Sequence, residues 1–110
     1  MIIRVTRSRV ATGHEAQVLD VVRGLTDQFG AIPGLHTAVF GRSLHGDAMW
    51  LIAITTWESF EAIRNVYGDA WPTRSMLPGA EHLIAETTVD HYEDTLGDVS
   101  ATVEERRTEH

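Results

Sequence analysis

Residues 49–60 read Met-Trp-Leu-Ile-Ala-Ile-Thr-Thr-Trp-Glu-Ser-Phe, and the arrangement of the rest of the chain follows from them. From Met49 to Trp57 every residue is aliphatic, aromatic or β-branched, with no charge, Gly or Pro, which predicts a strand. Successive side chains of a strand point to opposite faces. One face takes Met49, Leu51, Ala53, Thr55 and Trp57; the other takes Trp50, Ile52, Ile54 and Thr56. Both sets are mainly apolar, so this strand is expected to be covered on both sides. Glu58-Ser59 then turns the chain into a helix from Phe60, with Ser59 as its N-cap.

Upstream, residues 35–43 form a second strand, with Leu35, Thr37 and Val39 on one face and His36, Ala38, Phe40 and Arg42 on the other. The turn His45-Gly46-Asp47 joins it to residues 49–57 as a β-hairpin. Before that, Thr12-Gly13-His14-Glu15 has the Thr-x-x-Glu pattern of a capping box. It opens a helix expected to run to about Phe29, with Val18, Val21, Val22, Leu25 and Phe29 as its apolar stripe. Ile2–Val10 is a strand of mixed character, with Arg9 near a solvated end. Arg4 and Arg7 are the more telling residues, because a buried arginine needs a carboxylate or a ligand anion. If first and last strands are neighbours, Glu86 or Asp90 is the expected partner of Arg4.

Downstream, the helix Phe60–Tyr67 buries Phe60, Ile63 and either Val66 or Tyr67, and Gly68 ends it. An irregular segment containing Pro72, Pro78 and Gly79 leads to a last strand over residues 83–92. Residues 94–110 are poor in large apolar side chains and read as a tail or dimer arm. The order is βαββαβ: an α+β, ferredoxin-like plan with a four-stranded antiparallel sheet and both helices on one face. That leaves the second apolar face of residues 49–57 bare, and a face-to-face homodimer is the expected cover.

The totals bound the function. A chain of 110 residues holds one core, here residues 1–93. A net charge of -7 argues against a nucleic-acid or anionic-membrane partner. With no Cys and no Lys, thiolate chemistry, Cys-based metal sites and lysine Schiff bases are excluded. The apolar start of the chain is too short for a signal peptide and no run reaches membrane-spanning length, so a cytoplasmic location is expected. No glycine-rich nucleotide pattern is present. Asp90 and His91 point opposite ways on a strand, so with Glu93 they are not expected to hold a metal.

Thr56-Trp57-Glu58-Ser59-Phe60-Glu61-Ala62, Pro33-Gly34-Leu35 before the second strand, and Gly13 before the first helix resemble the antibiotic biosynthesis monooxygenase (ABM) domain of the dimeric α+β barrel proteins. The resemblance spans roughly Met1 to Glu93 and marks the fold more than the activity. It implies two sheets closing into a barrel between protomers, and a pocket in each protomer between sheet and helices. Members differ in chemistry: some oxidise anthrone-like polyketide intermediates with O₂ and no bound cofactor, and others degrade haem. Against the haem-degrading pattern, this chain has Thr6 for an Asn on the first strand and Val66 or Tyr67 for a Trp on the second helix. Around Thr73 it has no His for the haem ligand.

The expected function is therefore a monooxygenase acting on a small aromatic or polyketide-like substrate without a cofactor. The alternative is a non-catalytic dimer that binds haem or a hydrophobic metabolite. His82, between loop and last strand, is the expected base. Phe40, Tyr67 and Trp71 are expected to line the pocket, and Arg74 to hold substrate. Packing competes with that role for Trp71, and a structural hydrogen bond competes with it for His82. His36 and His91 are expected to be packed or exposed on their strands.

Overall fold

In a computed structural model, residues 1–74 and 80–97 are described. Six main elements follow in order: β1 (Ile2–Val10), α1 (Glu15–Thr26), β2 (Leu35–Arg42), β3 (Trp50–Trp57), α2 (Phe60–Tyr67) and β4 (Ile84–Glu93). Single 3-10 turns stand at Phe29–Ala31, Gly68–Ala70 and Glu81–Leu83. The sheet order is β2-β3-β1-β4, and every neighbouring pair is antiparallel. This is the ferredoxin-like α+β plan. Among the described residues no helix is long and apolar enough to cross a membrane.

Register decides which side chains meet. Ile2, Arg4, Thr6, Ser8 and Val10 of β1 are all buried on the helix-covered face. Opposite them on β3 lie Trp57, Thr55, Ala53 and Leu51, and opposite Arg4, Thr6 and Ser8 on β4 lie His91, Val89 and Thr87. Two clusters fill this side. Under α1, Val10 and Val18 pack with Ala80 and Leu83, flanked by Val21, Val22 and Leu25. Under α2, Trp57, Ile63, Tyr67 and Ile2 pack together, flanked by Leu35 and Trp71. Val66 points out of this cluster; Tyr67 is the residue that points in.

The other face bears Ile3 and Val5 of β1, Trp50, Ile52 and Ile54 of β3, Val39 of β2 and Tyr92 of β4. Val39 is 60% exposed, Tyr92 56% and Ile54 37%, so the expected second apolar face exists. Arg7, over the Trp50 ring, and the Arg9–Glu86 ion pair give one end of this face a charged border.

Two of the motifs that carry the resemblance, Pro33-Gly34-Leu35 and residues 56–62, touch each other. Gly34 has φ +82, and a Cβ there would run into the Ala62 methyl of α2. Glu58 N donates to Gly34 O at 2.8 Å. Glycine is needed both for the left-handed backbone and for the close approach. Ser59 caps α2 as expected, its hydroxyl accepting from Ala62 N at 3.2 Å, and Gly68 ends the helix at φ 66.

Four local expectations are corrected. The Thr12 capping box is not formed: α1 begins at Glu15 behind His14, whose side chain makes no cap bond, and the Glu15 carboxylate accepts from Gly13 N instead. Helix α1 stops at Thr26, and Phe29 lies in the 3-10 turn, stacked on Phe40 at 5.1 Å. In β2 the register shifts between Leu35 and Thr37, so Leu35 shares its face with Ala38 and Phe40. A bulge adds one residue, here the exposed His36, and so resets the alternation. Finally, Arg4 pairs with neither Glu86 nor Asp90, because both lie on the opposite face of β4; its partner across the strands is His91.

Candidate functional site

The helix-covered side of the sheet holds two adjoining features, one empty and one charged. The empty one is a half-open cavity of about 210 Å³ between α1 and the sheet. Leu19 and Val22 of α1 face Phe40 of β2, Leu51 and Ala53 of β3, and Thr6 and Ser8 of β1. The wall is largely apolar but includes Arg42 of β2. Its hydroxyls are those of Thr6 and Ser8, and Ser8 Oγ is within 3.4 Å of Thr87 Oγ1.

The charged feature begins two residues earlier on β1. Arg4 is 1% exposed. Its Nη1 donates to Trp71 O at 2.6 Å and to His91 Nε2 at 2.9 Å, and its Nη2 donates to Arg74 O. The guanidinium carbon lies 3.9 Å from the centre of the Tyr67 ring, a cation–π contact. Its Nε has no acceptor among the described residues. Around this cation stand Trp71, 5.1 Å from His91, and Phe60, 5.5 Å from His91 and 5.6 Å from Trp71. Behind it Trp57 Nε1 donates to Thr55 Oγ1 at 2.8 Å, which leaves the buried indole satisfied.

The protonation states follow from these contacts. An arginine only donates, so His91 Nε2 is the bare nitrogen and the neutral ring carries its proton on Nδ1. Burial first and the Arg4 charge second hold the His91 imidazole below its ordinary value, against a smaller opposing pull from Asp90. Burial pushes the Tyr67 phenol up to about 12, although Arg4 draws it the other way. The phenol of Tyr67 is thus held in its protonated form.

The sequence-predicted site residues divide between these features. Phe40 lines the cavity. Tyr67 and Trp71 stand at Arg4, and Arg74 contributes its backbone carbonyl there while its own side chain is exposed. His82 is exposed in the 3-10 turn before β4 and is not among the residues lining the cavity. Arg4 and His91 are the residues that sequence reasoning did not bring together. The signal was an arginine in an otherwise apolar strand end, and only the register supplied its partner.

No family model matches the chain, and no curated protein matches it in sequence. Solved structures do. A candidate antibiotic biosynthesis monooxygenase from Deinococcus radiodurans superposes with a TM-score of 0.67 at 16% identity, over 92% of this chain and 97% of that one. Another, from Nitrosomonas europaea, gives 0.66 at 13% identity over 84% and 97%. A point variant of MhuD, with two manganese protoporphyrin IX molecules bound per active site, gives 0.65 at 15% over 92% and 100%. At these identities the likeness is one of fold: the chain has the ABM-type α+β architecture.

Proposed function

We propose that the protein is a homodimeric, cytoplasmic monooxygenase of the ABM type that oxidises a small aromatic or polyketide-like substrate with O₂ and no bound cofactor. The observation that carries this reading is the half-open apolar cavity between α1 and the sheet, in a fold shared with ABM structures. In the proposed reaction a base removes one of the two protons of an acidic ring methylene. The electron pair left on carbon reduces O₂, forming a carbon–peroxide bond. Loss of water from that peroxide leaves a new carbonyl, so one oxygen atom stays on the product and the other departs as water. The protein's part is to hold the rings, exclude water and supply the base.

In this reading Phe40, Tyr67 and Trp71 contact the rings and Arg74 contacts a polar group of the substrate. His82 is the base expected from sequence. His91 is its rival, since it is held neutral beside the aromatic residues. Oxygen uptake with anthrone-like and quinol substrates tests the assignment. Replacing the true base by Ala is expected to slow uptake by about 100-fold or more, while the other histidine variant keeps its rate. Uptake unchanged in both His82→Ala and His91→Ala, or no uptake with any substrate, overturns it.

The dimer is supported by the exposed apolar side chains Val39, Ile54 and Tyr92 on the face away from the helices. A single 12.2 kDa species in sedimentation at micromolar concentration would remove it. The likeness to MhuD favours a second reading, a dimer that binds haem or a hydrophobic metabolite without turnover. A Soret shift on titrating haem, with no oxygen-dependent product, would move the assignment there.

A further inference from the structure

The floor of the cavity under α1 is two rows of side chains laid across three strands. Phe40, Ala53 and Thr6 make one row; Arg42, Leu51 and Ser8 make the next. Leu19 and Val22 of α1 form the roof. Neighbouring strands lie about 4.8 Å apart and alternate residues of one strand about 7 Å, so the floor measures roughly 10 by 7 Å. That footprint and the volume of about 210 Å³ suit one or two fused rings. The two ends of the floor differ. At β1 the cavity is closed, since Thr6 and Ser8 are buried. At β2, an edge strand, Arg42 is exposed. Phe29, stacked on Phe40, holds the Phe40 ring in place as part of the wall.

Arg42 is the one charged side chain among the described residues that line this cavity, and none of them is acidic. It forms no ion pair among the described residues: the paired acids there serve the N-terminus, Arg9 and Arg23, and Asp47 in the turn after β2 is not a partner. An arginine that only solvated the surface would suit the outer face of β2. Arg42 instead follows Phe40 by two residues and shares the face turned to α1. A cation at the rim of an apolar cavity lets rings enter while an ionised group stops at the edge. There the group gains a charge-assisted hydrogen bond and escapes the full desolvation cost of a buried ion pair. A chain of net charge -7 repels an anion elsewhere, so a local positive charge at the entrance decides whether one is admitted.

We propose that the cavity takes an anionic aromatic ligand of one or two rings, and that Arg42 selects it by binding its ionised oxygen, a carboxylate, phenolate or enolate, at the rim. This rests on the reading of the cavity as the substrate pocket. It adds the substrate's charge, the end by which it is held and the residue that holds it. The planar fork of donors on a guanidinium matches a carboxylate or an enolate–carbonyl pair. At the closed end the hydroxyls of Thr6 and Ser8 offer hydrogen bonds to a substituent on the far side of the rings.

The test is calorimetric titration with two probes of equal size, 2-naphthoate and the neutral 2-naphthamide. The wild-type protein is expected to bind naphthoate about three- to fivefold more tightly, the worth of a part-exposed charge pair. Raising salt from about 0.05 to 0.5 M should erode that preference. Arg42→Gln is expected to bind both probes alike and Arg42→Lys to keep part of the preference. Ala53→Val, inside the cavity, should weaken both probes together. Equal affinities in the wild type, a preference that salt or Arg42→Gln leaves unchanged, or binding that Ala53→Val does not touch overturns the inference. Arg42 is exposed near the end of its strand, and should Arg42→Gln still fail to fold, the salt series on the wild type decides. Binding of neither probe overturns the inference together with the pocket reading. Oxygen uptake separates the two ideas. Equal turnover of neutral and anionic substrates, unchanged in Arg42→Gln, removes the anchor and leaves the oxygenase standing. An anion preference without turnover does the reverse.

Discussion

The two ends of the helix-covered side of β1 are built on different plans. Under α2 the space is filled: Trp57 and Ile63 are fully buried, Tyr67 nearly so, and the helix begins on a made Ser59 cap. Under α1 only Val18 of the helix is fully buried, the helix starts without a side-chain cap, and about 210 Å³ is left open beside it. The tight end holds a buried arginine without an ion pair among the described residues; the loose end holds room. Well-packed interiors position polar groups, and slack regions admit ligands.

That contrast can be broken from the tight end. Trp57→Ala is expected to cost about 3–5 kcal/mol, because a fully buried indole leaves a cavity that its neighbours only partly refill. Urea unfolding measures it, and a loss under about 1 kcal/mol would mean that this end is no better packed than the other. At the loose end the sign should reverse. Ala53→Val places methyl groups in the cavity and is expected to stabilise the fold by about 0.5–2 kcal/mol while weakening the binding of any ring-shaped probe. Destabilisation there would show that the space is already as small as the packing allows.

The caps make a finer comparison. Ser59→Ala removes the bond from Ala62 N and should cost about 1 kcal/mol. Thr12→Ala, in the box that α1 does not form, should stay within about 0.5 kcal/mol. Equal losses in thermal or urea melts would restore the capping box to α1. The smallest effect is in pH. His91 is held below its ordinary value by burial and Arg4, with Asp90 opposing, so the unfolded chain accepts a proton more readily than the folded one. Its contribution is complete above about pH 6.5 and is lost as pH falls below that value. Urea midpoints from pH 7.5 to 5.5 should therefore decline, and less steeply in His91→Gln.

Much of the fold is legible in the sequence for identifiable reasons. The bounds of helix α2 read correctly because Ser59 and Gly68 are strong, local signals, although Phe60, expected inside, is 43% exposed at the helix start. Strand β3 reads correctly because no residue in it favours anything else. The bare apolar face follows from the parity of β3 alone. The site is less legible, because it depends on which strands are neighbours and in what register. Arg4 is visibly out of place in β1, but the choice among Glu86, Asp90 and His91 turns on a one-residue phase that composition does not reveal. Phe40 lines the cavity, while other residues of its wall, Leu19, Val22, Leu51 and Ala53, look like ordinary core in the sequence. Residues 98–110, the larger part of the expected tail or arm, and residues 75–79 of the irregular segment lie outside the described residues.

The bulge at His36 bears on how this chain can change over time. Because the bulge absorbs one supernumerary residue, trimming His36 would leave Phe40 facing inward and Val39 outward and would make the pairing with β3 regular. Loss of a residue is therefore cheap at that point, whereas loss of one between Thr37 and Phe40 would swap the sides of part of the strand. Descendants of this chain should part with the histidine more readily than they change the spacing from Thr37 to Phe40.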